Sequence, residues 1–367
     1  MPQFTFLTSI AELRAAAPAW DDLWQRSDCT SPLARAEMIA HWLEHFAPQA
    51  RFRAVVVEEN GRWLAALPLM QQRAGGVLGT GVLPCNEWPS GATLLWDVHS
   101  AASDVGGTLV TALAHLPWQL VRLEAAMPAR ASWRALHGAL TTAGVPCDLR
   151  TRWHVGRLPI AHDWPAALAG LSRKHRQQIM SSLRKLAALG EVGFNLYRHF
   201  AADEVEPLME RALAVEDRGW KGTACTSILR TPGAAEFMLQ QARSLAAEDR
   251  LWLGFLHCGR RDAAFCYGIY AKGVLHSFKI GYDTQYAAVS PGHLLHYHLL
   301  QAIHADAGVE AVDYIGAMTE YHASWRPQSY PFARLAFAAR GRLLGQAALW
   351  GYQWINGPTE AIPIVSR

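Results

Sequence analysis

The feature that most constrains this chain is a pattern that occurs twice: a strand hairpin, then a helix, then a further strand. In the first half, residues 53–58 and 63–69 read as strands flanking Glu59-Asn60-Gly61, turn chemistry suited to a tight hairpin. A helix follows near 103–115, a strand at 119–124, a helix near 132–143 with Ser132 as its N-cap, and a short strand at 155–159. Amphipathic helices at 10–26 and 35–46 precede the hairpin. In the second half, helical patterns at 164–189, 204–215 and 234–247 lead into strands at 251–256, 262–270 and 274–282. A helix at 292–306 and strands at 311–315 and 333–340 complete it.

The order predicts an α+β fold made of two related units packed together. The expected division is residues 1–160, residues 161–345 and a tail at 346–367. The composition, 51% hydrophobic and 18% charged, belongs to a folded chain, not a disordered one. A formal charge of +3 does not call for a DNA partner, although it allows a local anion site. Neither a signal-like start nor an apolar run long enough to span a bilayer is read, so a cytoplasmic protein is expected. The six cysteines form no C-x-x-C pair and are expected as buried thiols.

Four segments carry candidate chemistry. Ser290-Pro291-Gly292-His293-Leu294 sits between a strand and a helix, with Ser290 as N-cap and Pro291 at the first helical position. The open N–H groups of that turn suit a pyrophosphate, which a residue without a side chain lets approach. The stretch from Arg173 to Lys185 includes Lys174, Arg176 and Arg184, with no acidic residue from Trp164 to Gly190. It reads as a solvated face or as a contact for phosphates or an anionic substrate. Glu216-Asp217-Arg218-Gly219-Trp220-Lys221-Gly222 puts a ring and a cation between glycines, as a ligand-facing loop or as a helix end with Trp220 folded on the core. Asp313, inside an apolar strand ahead of Gly316 and Tyr321, needs a partner if buried and is either structural or functional.

Other chemistries lack support. His293, His296, His298 and His304 give an i, i+3 pair without a third ligand on the same face, so no metal is expected. No G-x-S-x-G, Walker loop or strand-linked G-x-G-x-x-G occurs.

Taken in order, these blocks resemble the CelD-like (cellulose-biosynthesis-associated) acetyltransferase family of the GNAT superfamily. The resemblance runs from Ser31-Pro32, Trp42 and Phe46 through Leu67-Pro68-Leu69, 174–186, Trp220-Lys221-Gly222 and Ser290-Pro291-Gly292 to 313–325. It implies two tandem GNAT-like units, similar to the Fem-type aminoacyl transferases. It further implies an acyl-CoA donor, acetyl-CoA in the first instance, with its pyrophosphate near Gly292. The chain departs from the pattern in having Tyr321-His322 where Tyr-Lys is common, and in having fewer glycines at the phosphate turn.

The expected reaction is acyl transfer to an amine or hydroxyl of a small molecule or saccharide, in an exopolysaccharide setting. Glu216 or Asp313 is the expected base, Tyr321 the acid for the leaving thiolate, and Lys221 the acceptor anchor. Trp220, Arg173, Lys174 and Arg176 are further acceptor-side candidates. Ser290, Gly292, His293 and Leu294 are the candidates for holding the donor. Aminoacyl-tRNA-dependent transfer in the Fem manner and a non-catalytic scaffold stay open, although transfer RNA is the less expected partner.

Overall fold

A computed structural model describes residues 1–74, 78–86, 91–338 and 341–356. The chain divides into two compact units, one made of residues 1–154 and 330–367, the other of residues 155–329.

The first unit opens with β1 (Gln3–Leu7), followed by helices α1 (Ile10–Ala15), α2 (Ala17–Arg26) and α3 (Ala36–Phe46). Strands β2 (Phe52–Glu59), β3 (Arg62–Ala74), β4 (Leu78–Val82) and β5 (Leu95–Trp96) come next. Helix α4 (Ala102–Ala114), strand β6 (Leu120–Ala126), helix α5 (Ala131–Thr142) and strand β7 (Cys147–Pro159) follow. The second unit contains α6 (Trp164–Gly170), α7 (Arg173–Ala187), β8 (Val192–Tyr197), α8 (Val205–Asp217), α9 (Trp220–Thr223) and α10 (Ala234–Ala246). It continues with β9 (Leu251–Cys258), β10 (Arg261–Ala271), β11 (Val274–Tyr282), α11 (Pro291–His304), β12 (Ala311–Ala317) and α12 (Glu320–Ala323). β13 (Gln328–Phe337) and α13 (Leu343–Asn356) end the described chain.

The strand pairings of the two units follow one scheme. In the first, β1–β2, β2–β3 and β3–β4 pair antiparallel, β4–β6 parallel and β6–β13 antiparallel. In the second, β8–β9, β9–β10 and β10–β11 pair antiparallel, β11–β12 parallel and β12–β7 antiparallel. A parallel pair needs a crossover, and α4 and α11 supply it in the respective units. Each unit has its own core, one around Leu67, Leu109, Leu123 and Phe337, the other around Leu256, Leu275, Leu294 and Val312.

The division differs from the expected one because the closing strands are exchanged along the chain. Residues 155–159 of β7 pair with β12, and β13 returns to pair with β6. The boundary therefore falls at 154/155 rather than 160/161, and the second unit ends at Ser329 rather than 345. Alternation marks a strand but does not name its partner.

Several local expectations need correction. The helix expected over 10–26 breaks at Ala16, and Pro18 enters the first turn of α2, where its missing N–H is tolerated. The helix expected over 164–189 breaks at Leu171, and Ser172 starts α7 by accepting the His175 N–H. Ser132 does not cap α5: Arg130 is the N-cap, and Ser132 bonds the Asp28 carboxylate. β1, β4, β5 and β8 were not foreseen, since each is short or weakly alternating. Residues 339–340 of the expected last strand and residues 357–367 of the expected tail lie outside the described residues. Of the free cysteines, Cys29, Cys258 and Cys266 are buried, Cys85 and Cys147 half-buried, and Cys225 exposed against expectation.

The two-residue hairpin loops behave as their chemistry requires. Asn60 and Gly61 have φ of 52° and 76°, and Lys272 and Gly273 have φ of 49° and 74°. Both pairs are left-handed, as the twist of a tight hairpin demands.

One irregularity matters for the site. β11 and β12 pair over only three positions, ending at His276 opposite Asp313, although both strands run on. Just beyond, the Ile315 N–H donates to Asp313 Oδ1 at 2.9 Å, and Ile315 takes a left-handed φ of 58°. A β-branched residue resists that conformation, so the buried carboxylate has to hold it. Asp313→Ala should therefore lower unfolding free energy by about 1.5–3 kcal/mol, the range for a hydrogen bond to a charged group. Urea denaturation checks this, and an unchanged midpoint would remove Asp313 from the turn's support.

Candidate active site

The cleft is built from the end of α8 outward. The apolar periodicity of α8 buries Leu208, Met209, Ala212, Leu213 and Val215, and the same rotation carries Glu216 inward, where it is 2% exposed. The carboxylate is fully engaged. Lys221 Nζ lies 2.8 Å from Oε1, and the Ile228 N–H donates to Oε2 at 2.9 Å. Lys279 Nζ, on β11, lies 3.7 Å from Oε1. A buried carboxylate is tolerable only with such partners.

Lys221 reaches Glu216 because the chain doubles back. A Cβ on Gly219 would lie 2.9 Å from the carbonyl oxygens of both Glu216 and Tyr282. One on Gly222 would lie 1.7 Å from the Asp217 carbonyl oxygen. Neither glycine is left-handed, so close backbone approach, not conformational freedom, is what requires them. The tight turn leaves Trp220 60% exposed at the lip of the cleft, not folded on the core.

The opposite wall is the start of α11. Ser290 is its N-cap residue but has a left-handed φ of 52° and makes no side-chain cap bond, contrary to expectation. This end of a 14-residue helix is thus free of a capping side chain and carries the positive end of the dipole. A Cβ on Gly292 would meet only Ile280 Cδ1, at 3.8 Å, so the turn faces open space. The Tyr321 hydroxyl donates to the Gly292 carbonyl oxygen at 3.3 Å, and its ring packs edge-on against His293 with centroids 4.6 Å apart.

Together these residues line a cleft of about 390 Å³: Glu216, Trp220, Lys221, Gly292, His293 and Tyr321, with Ile280 to Tyr282 as its floor. Ser290 also lines it. A larger open basin of about 730 Å³ lies by Arg218, Arg230 and Arg261, but those guanidinium groups are already paired with Asp283 and Asp217. The smaller cleft is the one with convergent, chemically distinct groups.

Charge in the cleft is tuned by burial. Desolvation, aided by the Lys221 charge and opposed by Glu216, brings Lys279 down to about 8. Burial, with His175 contributing, brings His293 down to about 4, which leaves a neutral imidazole at neutral pH. Its Nδ1 is buried and has no hydrogen-bond partner among the described residues. Burial holds the Tyr321 phenol well above its ordinary range, with Tyr314 and Cys266 adding to the shift. Behind His293 lie His175, His296 and Trp325, the His175 and Trp325 rings at 4.9 Å and those of His296 and Trp325 at 4.8 Å. His296 Nε2 is 2.8 Å from the Tyr314 hydroxyl. Among the described residues, no group of three His, Cys, Asp or Glu is arranged to hold a metal ion.

Other candidates fall elsewhere. Asp313 does not line the cleft, because its carboxylate is turned into the Ile315 N–H. Leu294 is fully buried in the core of its unit and does not line the cleft. Arg173 and Arg176 line a separate shallow groove on α7 with Gln177, Met180 and Arg184, while Lys174 is exposed. Lys279 was missed, because a lone lysine in a strand gives no signal until the strand is set against α8.

Residues 173–323 match the family described as Acetyltransferase (GNAT) domain. A search of curated protein sequences finds no match. Among solved structures, FemX is similar with a TM-score of 0.60 at 9% identity, covering 93% of this chain and 98% of that one. A conserved protein of unknown function from Bacteroides thetaiotaomicron VPI-5482 gives a TM-score of 0.55 at 12% identity, covering 92% of this chain and 100% of that one.

The lysine shift can be measured directly. Labelling of Lys279 by an amine-reactive reagent, read by peptide mass, should rise with a midpoint near pH 8 rather than near that of an ordinary lysine, about 10.4. Glu216→Gln should move the midpoint lower still, since the carboxylate favours the charged amine. A midpoint above 10 in the native protein would contradict the burial of this group.

The chain thus has the α+β fold of the acyl-CoA N-acyltransferases in two tandem units, and its residues 173–323 match the GNAT acetyltransferase domain family.

Proposed function

We propose that this protein transfers an acyl group, acetyl in the first instance, from acyl-CoA to an amine or hydroxyl of a small molecule or saccharide. We further infer membership of the CelD-like family and a role in exopolysaccharide biosynthesis, from the sequence blocks that carry that resemblance. The observation that carries the reading is one cleft in which a carboxylate, a cation and a phenol face the uncapped N-terminus of α11.

In this reading the pyrophosphate of the donor lies at Gly292 and His293, where the Gly292 N–H and the dipole favour an anion, the His293 N–H donating to the Ser290 carbonyl oxygen at 3.0 Å. The acceptor enters past Trp220, with Lys221 as its anchor. Its nitrogen or oxygen attacks the thioester carbonyl, and the carbon–sulfur bond breaks. Glu216 takes the acceptor's proton, and Tyr321, still protonated at neutral pH, gives one to the departing thiolate. Glu216 is the carboxylate that lines the cleft, so it stands ahead of Asp313 as the base. Lys221 and Lys279 stand beside it, their Nζ atoms 2.8 and 3.7 Å from Oε1.

Gly292 separates this reading from a plain helix start. Gly292→Glu should fold at least as stably as the parent, gaining about 0.5 kcal/mol in helix propensity and about 0.3–1 kcal/mol at the dipole. The same carboxylate fills the place of the pyrophosphate, so CoA binding should be lost in titration calorimetry. Gly292→Ala, which meets only Ile280, should fold and retain weakened binding. Undiminished CoA affinity in the glutamate variant would place the donor elsewhere.

A second reading, aminoacyl-tRNA-dependent transfer, is favoured by the α7 groove. Among the described residues, Arg173, Arg176 and Arg184 make no ion pair, and the buried Arg176 Nε has no hydrogen-bond partner. Thermal melts with acetyl-CoA and with aminoacyl-tRNA discriminate the two, since a ligand of the native state raises its melting temperature. Replacing Arg173, Arg176 and Lys185 by alanine should weaken and flatten the salt dependence of any anionic ligand held there, and leave the melting temperature of the free protein nearly unchanged. Unaltered affinity in the triple variant would make this a solvated face only.

A further inference from the structure

We propose that α13 docks the protein on an anionic lipid surface. A surface helix is normally apolar on one side and charged on the other. α13 is apolar on both and has no charged residue in Leu343–Asn356. One side is seated on its own unit. Leu349 is 1% exposed, a Cβ on Gly345 would lie 1.8 Å from the Gln119 carbonyl oxygen, and the Arg334 guanidinium donates to the Tyr352 hydroxyl at 2.6 Å. The other side follows the 343, 347, 350, 354 repeat and presents Leu343, Trp350 and Trp354, with Leu344 beside them. Trp350 is 62% and Trp354 87% exposed.

Large apolar side chains grouped this way on a surface mark a face that is covered in use. Indole rings, with an apolar body and one N–H donor, are suited to the boundary between headgroups and acyl chains. A helix lying in that plane with its apolar face down is held by buried area and by attraction between basic residues and anionic lipid.

Charge selects lipid over a second copy of the chain. From Tyr330 to Thr359 the sequence has no acidic residue, while it has Arg334, Arg340 and Arg342. Glu124 offsets Arg334. Arg342, next to the first turn of α13 and in no ion pair among the described residues, favours a negative surface, whereas two copies meeting through this face would bring like charges together with no acid from this segment to balance them. Lipid docking does not depend on the acyltransferase reading, and it would keep the domain near acceptors carried on a membrane.

The test is co-sedimentation of the full chain with large vesicles of phosphatidylglycerol and phosphatidylcholine, or of phosphatidylcholine alone, beside light scattering of the protein without lipid. The wild type should pellet with the anionic vesicles and much less with the neutral ones. The double variant Trp350→Ala, Trp354→Ala should bind at least ~10-fold more weakly, as expected for withdrawing two indoles from an apolar phase. Leu343→Gln with Leu344→Gln, at the other end of the face, should give the same direction of loss. Unchanged thermal melts in both variants show that the exposed face, not the fold, was altered. A wild type that stays in the supernatant overturns the proposal. So does a wild-type dimer that the tryptophan variants dissociate, and so does a chain that binds vesicles only after residues 357–367 are removed.

Discussion

The second unit depends on where β11 and β12 stop pairing. Pairing ends at His276 and Asp313, and Asp313 then spends its carboxylate on the Ile315 N–H two residues further on. That bond fixes a left-handed residue in the strand, so β12 turns away while β11 continues to Tyr282. The Asp313 carboxylate, a candidate base in the sequence, accepts from its own backbone and does not line the cleft.

The cleft has a second requirement, the return of the chain after α8. Two glycines allow backbone to lie against backbone, and the short turn brings Lys221 back to Glu216. The result is a buried carboxylate between two lysines, one of which cannot hold its proton as firmly as a surface amine does. Burial works against each charge in turn, and the three tolerate it only together. Trp220 is left exposed at the rim by the same turn.

The two units repeat one strand scheme, yet they differ in the feature that matters chemically. The groups that line the cleft come from α8, α9, β11, α11 and α12, all within the second unit and within residues 173–323. The first unit shares the order of pairings and the crossover helix, and it carries at its end an apolar helix with two bare indoles. Repetition of a scaffold therefore does not imply repetition of a site.

Much of this was legible in the sequence. The first hairpin turn announced itself through Asn60-Gly61, because a left-handed pair of residues leaves few choices of residue type. The stretch Glu216 to Gly222, with Ser290 to His293 and Tyr321, named most of the cleft in advance, because glycines beside charged and aromatic residues signal a chain that must come close to something. What sequence could not show is anything set by a partner distant along the chain. The closing strands exchange between halves, Asp313 turns to its own backbone, Leu294 enters the core, and Ser290 leaves its helix uncapped. Lys279 becomes unusual only when β11 is laid against α8. Local pattern fixes which element a residue joins, but the dielectric around a side chain and the identity of its neighbours are set by packing, and those decide its chemistry.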